Sequence, residues 1–206
     1  MSTPDFTSTE AKASYGIGLQ MGQQVKGAFE GVSIDAVVSG IQDAFAGQNP
    51  QIPADDINAA FMEIQERLQA QQAEMAKKYA AEGETFLAEN AKRDEVTVLE
   101  SGLQYEVITE GSGEKPTADS TVRTHYAGTL VDGQEFDSSY KRGEPAEFPV
   151  GGVIKGWTEA LQMMPVGSKW KLYVPYQLAY GEQGAGGAIG PFQALIFEIE
   201  LLDIVS

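Results

Sequence analysis

Apolar positions recur along this chain at two different periods, and the change of period divides it. Up to about residue 93 they fall every three or four residues, as on one face of a helix. Tyr15, Gly18, Leu19, Gly22 and Val25 share such a face, and Thr7 with Glu10 fits a capping box, predicting a helix that runs to about Ala28. Ser33 reads as the N-cap of a second helix through Ile34, Val37, Val38, Ile41 and Phe45, with Gly47 as its stop. After Pro53, Asp55 and Asp56 suit a positive helix start, and nothing breaks the helical pattern before Gly83. If Gly83 is accommodated, this third helix runs from Ala54 toward Lys92, about 60 Å. Its apolar face is firm at Ile57, Phe61, Ile64 and Leu68. It fades into Gln69, Gln71 and Gln72, then returns at Met75, Tyr79, Phe86 and Leu87. A helix polar around its middle reads as a solvated spacer between two packed ends.

Beyond residue 93 the period drops to two. Leu103, Tyr105 and Val107 alternate with polar neighbours, as do Val122, Thr124 and Tyr126. Asp132-Gly133 signals a two-residue hairpin leading into Glu135 and Phe136. Trp170, Leu172 and Val174 predict a further strand, and Phe197, Ile199 and Leu201 the last one. One short helix interrupts the series, with Trp157, Ala160, Leu161 and Met164 on one face before Pro165 and Gly167. The expectation is an α+β fold: residues 1–93 form a helical domain with a long connecting helix, and residues 94–206 an antiparallel sheet curled over one short helix.

The helical part looks short of core. Two short amphipathic helices and half of a long one bury little against each other. Gly18 and Gly22 on one helical face suggest another helix packing very close, since each glycine costs about 1 kcal/mol relative to alanine inside a helix. A second copy of the same segment is the simplest remedy, so a homodimer through the N-terminal helices is expected.

Composition narrows the partners. The 206 residues carry 30 acidic and 14 basic side chains, a formal charge of −16, with both parts of the chain acidic. No Lys/Arg stripe is present to neutralise phosphates, so neither nucleic acid nor an anionic membrane is an expected partner. Cysteine is absent, which removes disulfide and thiolate chemistry, and the single histidine, His125, excludes a histidine-based metal cluster. No metal or cofactor is expected. The start MSTPDFTSTE has no basic segment followed by an apolar one, and no run of about 18 apolar residues occurs, so a cytoplasmic location is expected.

The chemistry sits in the second part. Tyr126, Phe136, Asp137, Phe148, Trp157 and Tyr180 supply aromatic rings, one carboxylate and one phenol, with no obvious nucleophile. Such a set suits a reaction that breaks no covalent bond. The strings VRTHYAG, FDSS, AEFPVGGVIKGW, LAYG and LIFEIELL follow one another between Val122 and Leu202. In that order they resemble the FKBP-type peptidyl-prolyl cis–trans isomerases, the immunophilins that bind tacrolimus and rapamycin. The helical string SYGIGLQMGQQV is similar to the dimerisation domain of the bacterial branch that contains the macrophage infectivity potentiator and its cytoplasmic relatives.

The resemblance implies roles position by position. Tyr126 matches a pocket-wall tyrosine, Phe136 and Asp137 the Phe-Asp pair, and Phe148 a further aromatic wall. Val153 and Ile154 match the rim pair, whose second member offers a backbone N–H to ligand. Trp157 matches the indole floor and Tyr180 the phenol donor, while Ile189 and Phe197 match the remaining lining. Asp137, Tyr180, Phe136 and Trp157 are the implied catalytic set, and the others bind substrate or macrolide inhibitors. Asp137 either stabilises the twisted amide electrostatically or locks its neighbours; both roles stay open. The chain departs from the family where many members read Ile-Pro-Pro: here Ile189-Gly190-Pro191 stands, and the added glycine predicts a more mobile loop.

The function expected is isomerisation of X-Pro bonds in unfolded or partly folded clients, with the helices dimerising and holding the client. A chaperone or binding module that only grips proline-containing segments is the alternative, and an oligomeric scaffold is a third. His125 is expected to be structural or exposed.

Overall fold

The computed structural model describes residues 5–206. Two compact units emerge, Met1–Gln71 and Gln72–Ser206. No helix among the described residues is long and apolar enough to cross a membrane.

In the first unit, α1 (Thr9–Lys26) and α2 (Ile34–Phe45) are followed by the start of α3 (Ala54–Asn90). Ser8 rather than Thr7 caps α1: its hydroxyl accepts from Ala11 N, and Gly27 ends the helix. The Thr7–Glu10 reading is off by one because both serine and threonine stand before the same apolar run. Ser33 caps α2 as expected, and Gly47 follows it with a left-handed φ of +66°. Neither α1 nor α2 contains a buried residue; Phe45 is 94 % exposed. Space over Gly18 and Gly22 is open.

α3 is continuous through Gly83, and the chain divides into its two units between Gln71 and Gln72, inside this helix and not at the change of period near residue 93. Packing is the reason. A Cβ on Gly83 would stand 3.1 Å from Ala194 Cβ, and one on Gly190 2.8 Å from the Tyr79 ring. The C-terminal half of α3 therefore lies directly on the loop before the last strand, and glycine is what permits the approach. Gly190 thus has a packing role, and its N–H also donates to Gln193 Oε1 at 2.6 Å. The Tyr79 ring and this bond both restrain the backbone at the Ile189-Gly190-Pro191 departure, where the added glycine alone predicts a looser loop.

The second unit holds a seven-stranded antiparallel sheet. Its strands are β1 (Thr97–Val98), β2 (Gln104–Thr109), β3 (Thr121–Leu130), β4 (Glu135–Ser138), β5 (Ala146–Pro149), β6 (Lys169–Val174) and β7 (Leu195–Ile204). Their order is β1-β2-β6-β7-β3-β4, and β5 pairs with β3 as well. Thus β4 and β5 share one side of β3, opposite residues 127–129 and 121–124, while β7 pairs along its other side. Strict alternation of buried and half-buried residues along β3 explains why its period was so clear. The β3–β4 turn is one residue longer than Asp132-Gly133 alone suggests. Leu130 N donates to Gln134 O, Gly133 N donates to Leu130 O, and Gly133 takes φ +89°, giving a three-residue loop with glycine in the left-handed position.

The short helix α5 (Lys155–Leu161) buries Trp157, Ala160 and Leu161 against the concave face. Val122, Leu172, Val174, Ile199 and Leu201 meet it there, all fully buried, with Leu103 and Met164 closing the ends. One turn of helix, α4 (Ser139–Arg142), was not visible as a period because four residues are too few to show one.

Candidate active site

Strand β3 brings Tyr126 to the concave face, β4 brings Phe136 and Asp137, and β5 brings Phe148. A 3-10 turn at Val150–Gly152 then delivers Val153 and Ile154 to the start of α5, where Trp157 enters the core. Phe197 comes from β7, and Tyr180 from the loop after β6. These side chains line one hollow of about 330 Å³, together with Gly152. All of the sequence-read site residues share it except Ile189. That residue is buried in the core cluster and bridges Ala185, and it is not part of the lining.

The Trp157 ring forms the floor. Tyr126, Phe148 and Phe197 each meet it edge to face, with centroids at 5.2, 5.7 and 5.2 Å. Phe136 meets Phe197 the same way at 5.6 Å. Perpendicular contacts of this kind place the positive ring edges against negative faces, so the rings hold one another in place. Gly128 makes the arrangement possible: a Cβ there would stand 2.6 Å from Phe136 Cζ and 2.8 Å from Phe197 Cε1. At the mouth, Tyr180 is 41 % exposed, which leaves its phenol accessible to a ligand. Ile154 occupies the N-cap of α5, so its N–H belongs to the donors that a helix leaves without an internal partner.

The charged edge of the hollow is a closed triad. Tyr126 donates its phenol proton to Asp137 Oδ2, and Arg142 Nη1 donates to Asp137 Oδ1. Arg142 Nη2 donates to the Tyr126 hydroxyl at 2.9 Å, while its guanidinium carbon lies 5.5 Å from the Tyr126 ring centroid. Partial burial pushes the Asp137 carboxyl up, but the donors Tyr126 and Arg142 outweigh it and hold the group below its ordinary value. Burial first, then the bond to Asp137, pushes the Tyr126 phenol above its ordinary value. At neutral pH the triad is therefore one carboxylate, one intact phenol and one guanidinium.

Two members of this arrangement escaped the sequence reading. Arg142 reaches Asp137 because Ser138 caps α4, its hydroxyl accepting from Lys141 N, and Gly143 ends that helix in the left-handed region. The signal was present in Ser138 and Gly143, which bracket one turn. Ser139 is the second. Fully buried, its hydroxyl accepts from Tyr126 N at 2.7 Å and donates to Tyr126 O at 3.1 Å. His125 Nδ1 lies 3.0 Å from Ser139 Oγ, and its ring stacks on Tyr140, so the histidine has structural partners.

A family model described as FKBP-type peptidyl-prolyl cis-trans isomerase matches residues 112–202, and another, described as the domain amino terminal to FKBP-type peptidyl-prolyl isomerase, matches residues 10–107. Among curated proteins, the chain is similar to the FKBP-type 22 kDa peptidyl-prolyl cis-trans isomerase of Escherichia coli K12. Identity is 54 % over 206 residues, covering 100 % of both chains. Outer membrane protein MIP of Legionella longbeachae is 40 % identical over 203 residues, 97 % of this chain and 87 % of that one. Among solved structures, FkpA from Escherichia coli aligns with a TM-score of 0.70 and 36 % identity, covering 97 % of this chain and 98 % of that one.

Proposed function

Since the chain belongs to the FKBP-type peptidyl-prolyl cis–trans isomerases, enzymes that accelerate rotation about X-Pro bonds, we propose that the ring-lined hollow over Trp157 holds the proline while its preceding imide bond turns. The observation that carries this assignment is the Trp157 floor met edge-on by three other rings. Resonance keeps a peptide bond planar behind a barrier of about 18–20 kcal/mol. In the twisted state that resonance is lost and the carbonyl carries less separated charge, so a water-poor apolar cage favours it over the more strongly hydrated planar state. Only such a difference between the two states accelerates the turn.

Tyr180 donates to a carbonyl flanking the proline, and Ile154 N–H holds the backbone on the other side of the mouth. Both oxygens of Asp137 are already engaged by Tyr126 and Arg142, which favours the locking role for this carboxylate: it fixes the ring wall against which the proline turns. No group needs to gain or lose a proton. Macrolides of the tacrolimus and rapamycin type compete for the same hollow. The test is cis-to-trans relaxation of a short Phe-Pro peptide with and without the protein, repeated with Tyr180→Phe and with rapamycin. A rate unaffected by either would refute the assignment.

The first unit, in this reading, pairs two copies and gathers unfolded clients between them. Support comes from helices with no buried residue, an almost fully exposed Phe45, and free space over Gly18 and Gly22. Two linked hollows raise the effective concentration of one for a client held by the other. Sedimentation checks the pairing: Gly18→Leu with Gly22→Leu is expected to yield monomers, and a wild-type monomer would overturn it.

A further inference from the structure

Among the described residues, Phe192 alone combines a side chain with a left-handed backbone, at φ +57°. A bulky residue is rare there because its Cβ crowds the following carbonyl. Such a conformation persists only where the surroundings hold it. Glycine or asparagine would adopt it with less strain, so the phenyl ring supplies something that they lack.

That ring meets the Tyr176 ring edge on, with centroids 5.0 Å apart. Tyr176 opens the 3-10 turn Tyr176–Leu178. Its carbonyl accepts from Gly181 N at 2.9 Å, and Gly181 O accepts from Phe192 N at 3.0 Å. Tyr176, Gly181 and Phe192 thus close a circuit made of two hydrogen bonds and one ring contact. Tyr180 is attached to it directly, through its peptide bond to Gly181.

The circuit is braced from outside. Ala185 and Ile189 exchange two backbone hydrogen bonds, at 2.9 and 3.1 Å, which close the loop between Gly181 and Phe192 on itself. Gly190 N donates to Gln193 Oε1, and the Tyr79 ring of α3 lies against Gly190. Tyr180 itself is exposed. Little packing fixes its phenol, so the hydroxyl stands where this backbone puts it.

We propose that Phe192 is a positioning residue for Tyr180: its ring on Tyr176 closes the circuit that aims the phenol at the substrate carbonyl. The inference rests on the isomerase reading of the cage, with Tyr180 as its hydrogen-bond donor. Hydrogen bonds weaken steeply as their angle departs from linear, so a looser circuit forfeits part of that bond. Phe192 does not line the hollow over Trp157, which separates its role from that of the cage rings.

The test is a double-mutant cycle on the full chain, read with the short Phe-Pro peptide. Asparagine accepts the left-handed conformation, so Phe192→Asn keeps the backbone and removes only the ring. It should lower kcat/KM about fivefold, much of the net worth of one hydrogen bond. Phe192→Tyr, which keeps the ring, should restore most of that loss. With Tyr180→Phe already in place, Phe192→Asn should cost nothing further. Hydrogen exchange gives a reading independent of turnover: in Phe192→Asn the Gly181 amide should exchange faster, and the Leu172 amide in β6 should not.

An unchanged kcat/KM in Phe192→Asn would overturn the proposal. So would an equal loss with and without the Tyr180 hydroxyl, or faster exchange at Leu172 as well as Gly181, since both mark a general effect on the fold. A Tyr180→Phe protein that turns the peptide over at the wild-type rate would overturn the donor reading and the proposal together, a result told apart from the others by that single variant.

Discussion

Asn90 Nδ2 donates to Gln104 Oε1 at 2.9 Å, in a buried contact that fastens the last turn of α3 to the first long strand of the sheet. The bond is one link of a set. Gln104 Nε2 donates to Leu87 O, and Arg93 bonds Asn90 Oδ1, the Tyr173 hydroxyl and Glu106. Asn90 and Gln104 are both buried and each is bonded through both ends of its amide, so removing one strands the other.

Asn90→Ala is therefore expected to destabilise the second unit by about 1–3 kcal/mol, the cost of leaving a buried amide oxygen without a donor. Thermal unfolding should register it, while the rate constant on a short peptide well below the midpoint stays at the wild-type value. By the same logic, a protein beginning at Gln72 keeps the seam and one beginning at Asp94 loses it. The shorter piece should melt at a markedly lower temperature; equal melting temperatures would show that the helix end contributes nothing.

Arg142→Leu opens the triad from the outside. Asp137 loses one donor, Tyr126 loses another, and the ring wall is held by a single bond. A loss of about tenfold in kcat/KM is expected, as for other small misplacements of a binding wall. The double variant with Asp137→Asn should be no worse than the poorer single variant, because the residues act as one unit. Additive losses would mean that Asp137 touches the reacting amide independently of Arg142.

The pH profile should be flat across neutrality. Asp137 is held below its ordinary value of 3.8, so its carboxylate, and the stability it confers, is fully present above that pH and is lost only as pH falls through the lower folded value. Tyr126 is raised above 10.0, so its contribution is complete below pH 10 and is lost as pH climbs through the higher folded value. A bell with a limb between pH 5 and 9 (about the window between these groups) would reveal a titrating catalytic group that the hollow does not provide.

Ser139→Ala removes the hydroxyl that bonds both main-chain groups of Tyr126. A destabilisation of about 1–3 kcal/mol is expected from the buried N–H and C=O left behind. Hydrogen exchange at the Tyr126 amide should accelerate more than at Thr124, which lies on the same strand. Uniform acceleration along β3 would argue against a local role.

Much of this was legible beforehand where periodicity is strong. The alternation along β3 and β7 and the 3.6-residue stripe of α2 follow from one-sided burial, which writes itself into the order of residues. Motif order located the cage for a related reason: Tyr126, Phe136, Phe148 and Phe197 occupy positions fixed by strand register, and Trp157 lies on the buried face of α5. What stayed hidden was interaction across distance. Arg142 depends on one helical turn capped by Ser138, Ser139 on a contact with a strand 13 residues away, and the division inside α3 on Gly83 meeting Ala194. Ile189, matched by its motif, is buried in the core cluster and pairs its backbone with Ala185 outside the lining of the hollow, a placement that position in the chain alone does not give.

Strand β4 ends the sheet's order, pairs only with β3 and is four residues long, yet it carries both Phe136 and Asp137. Margins of a sheet open at lower free energy than its centre. Warming should therefore silence turnover while most of the fold is still intact, so the enzyme's useful temperature range is set by its outermost ribbon and not by its melting point.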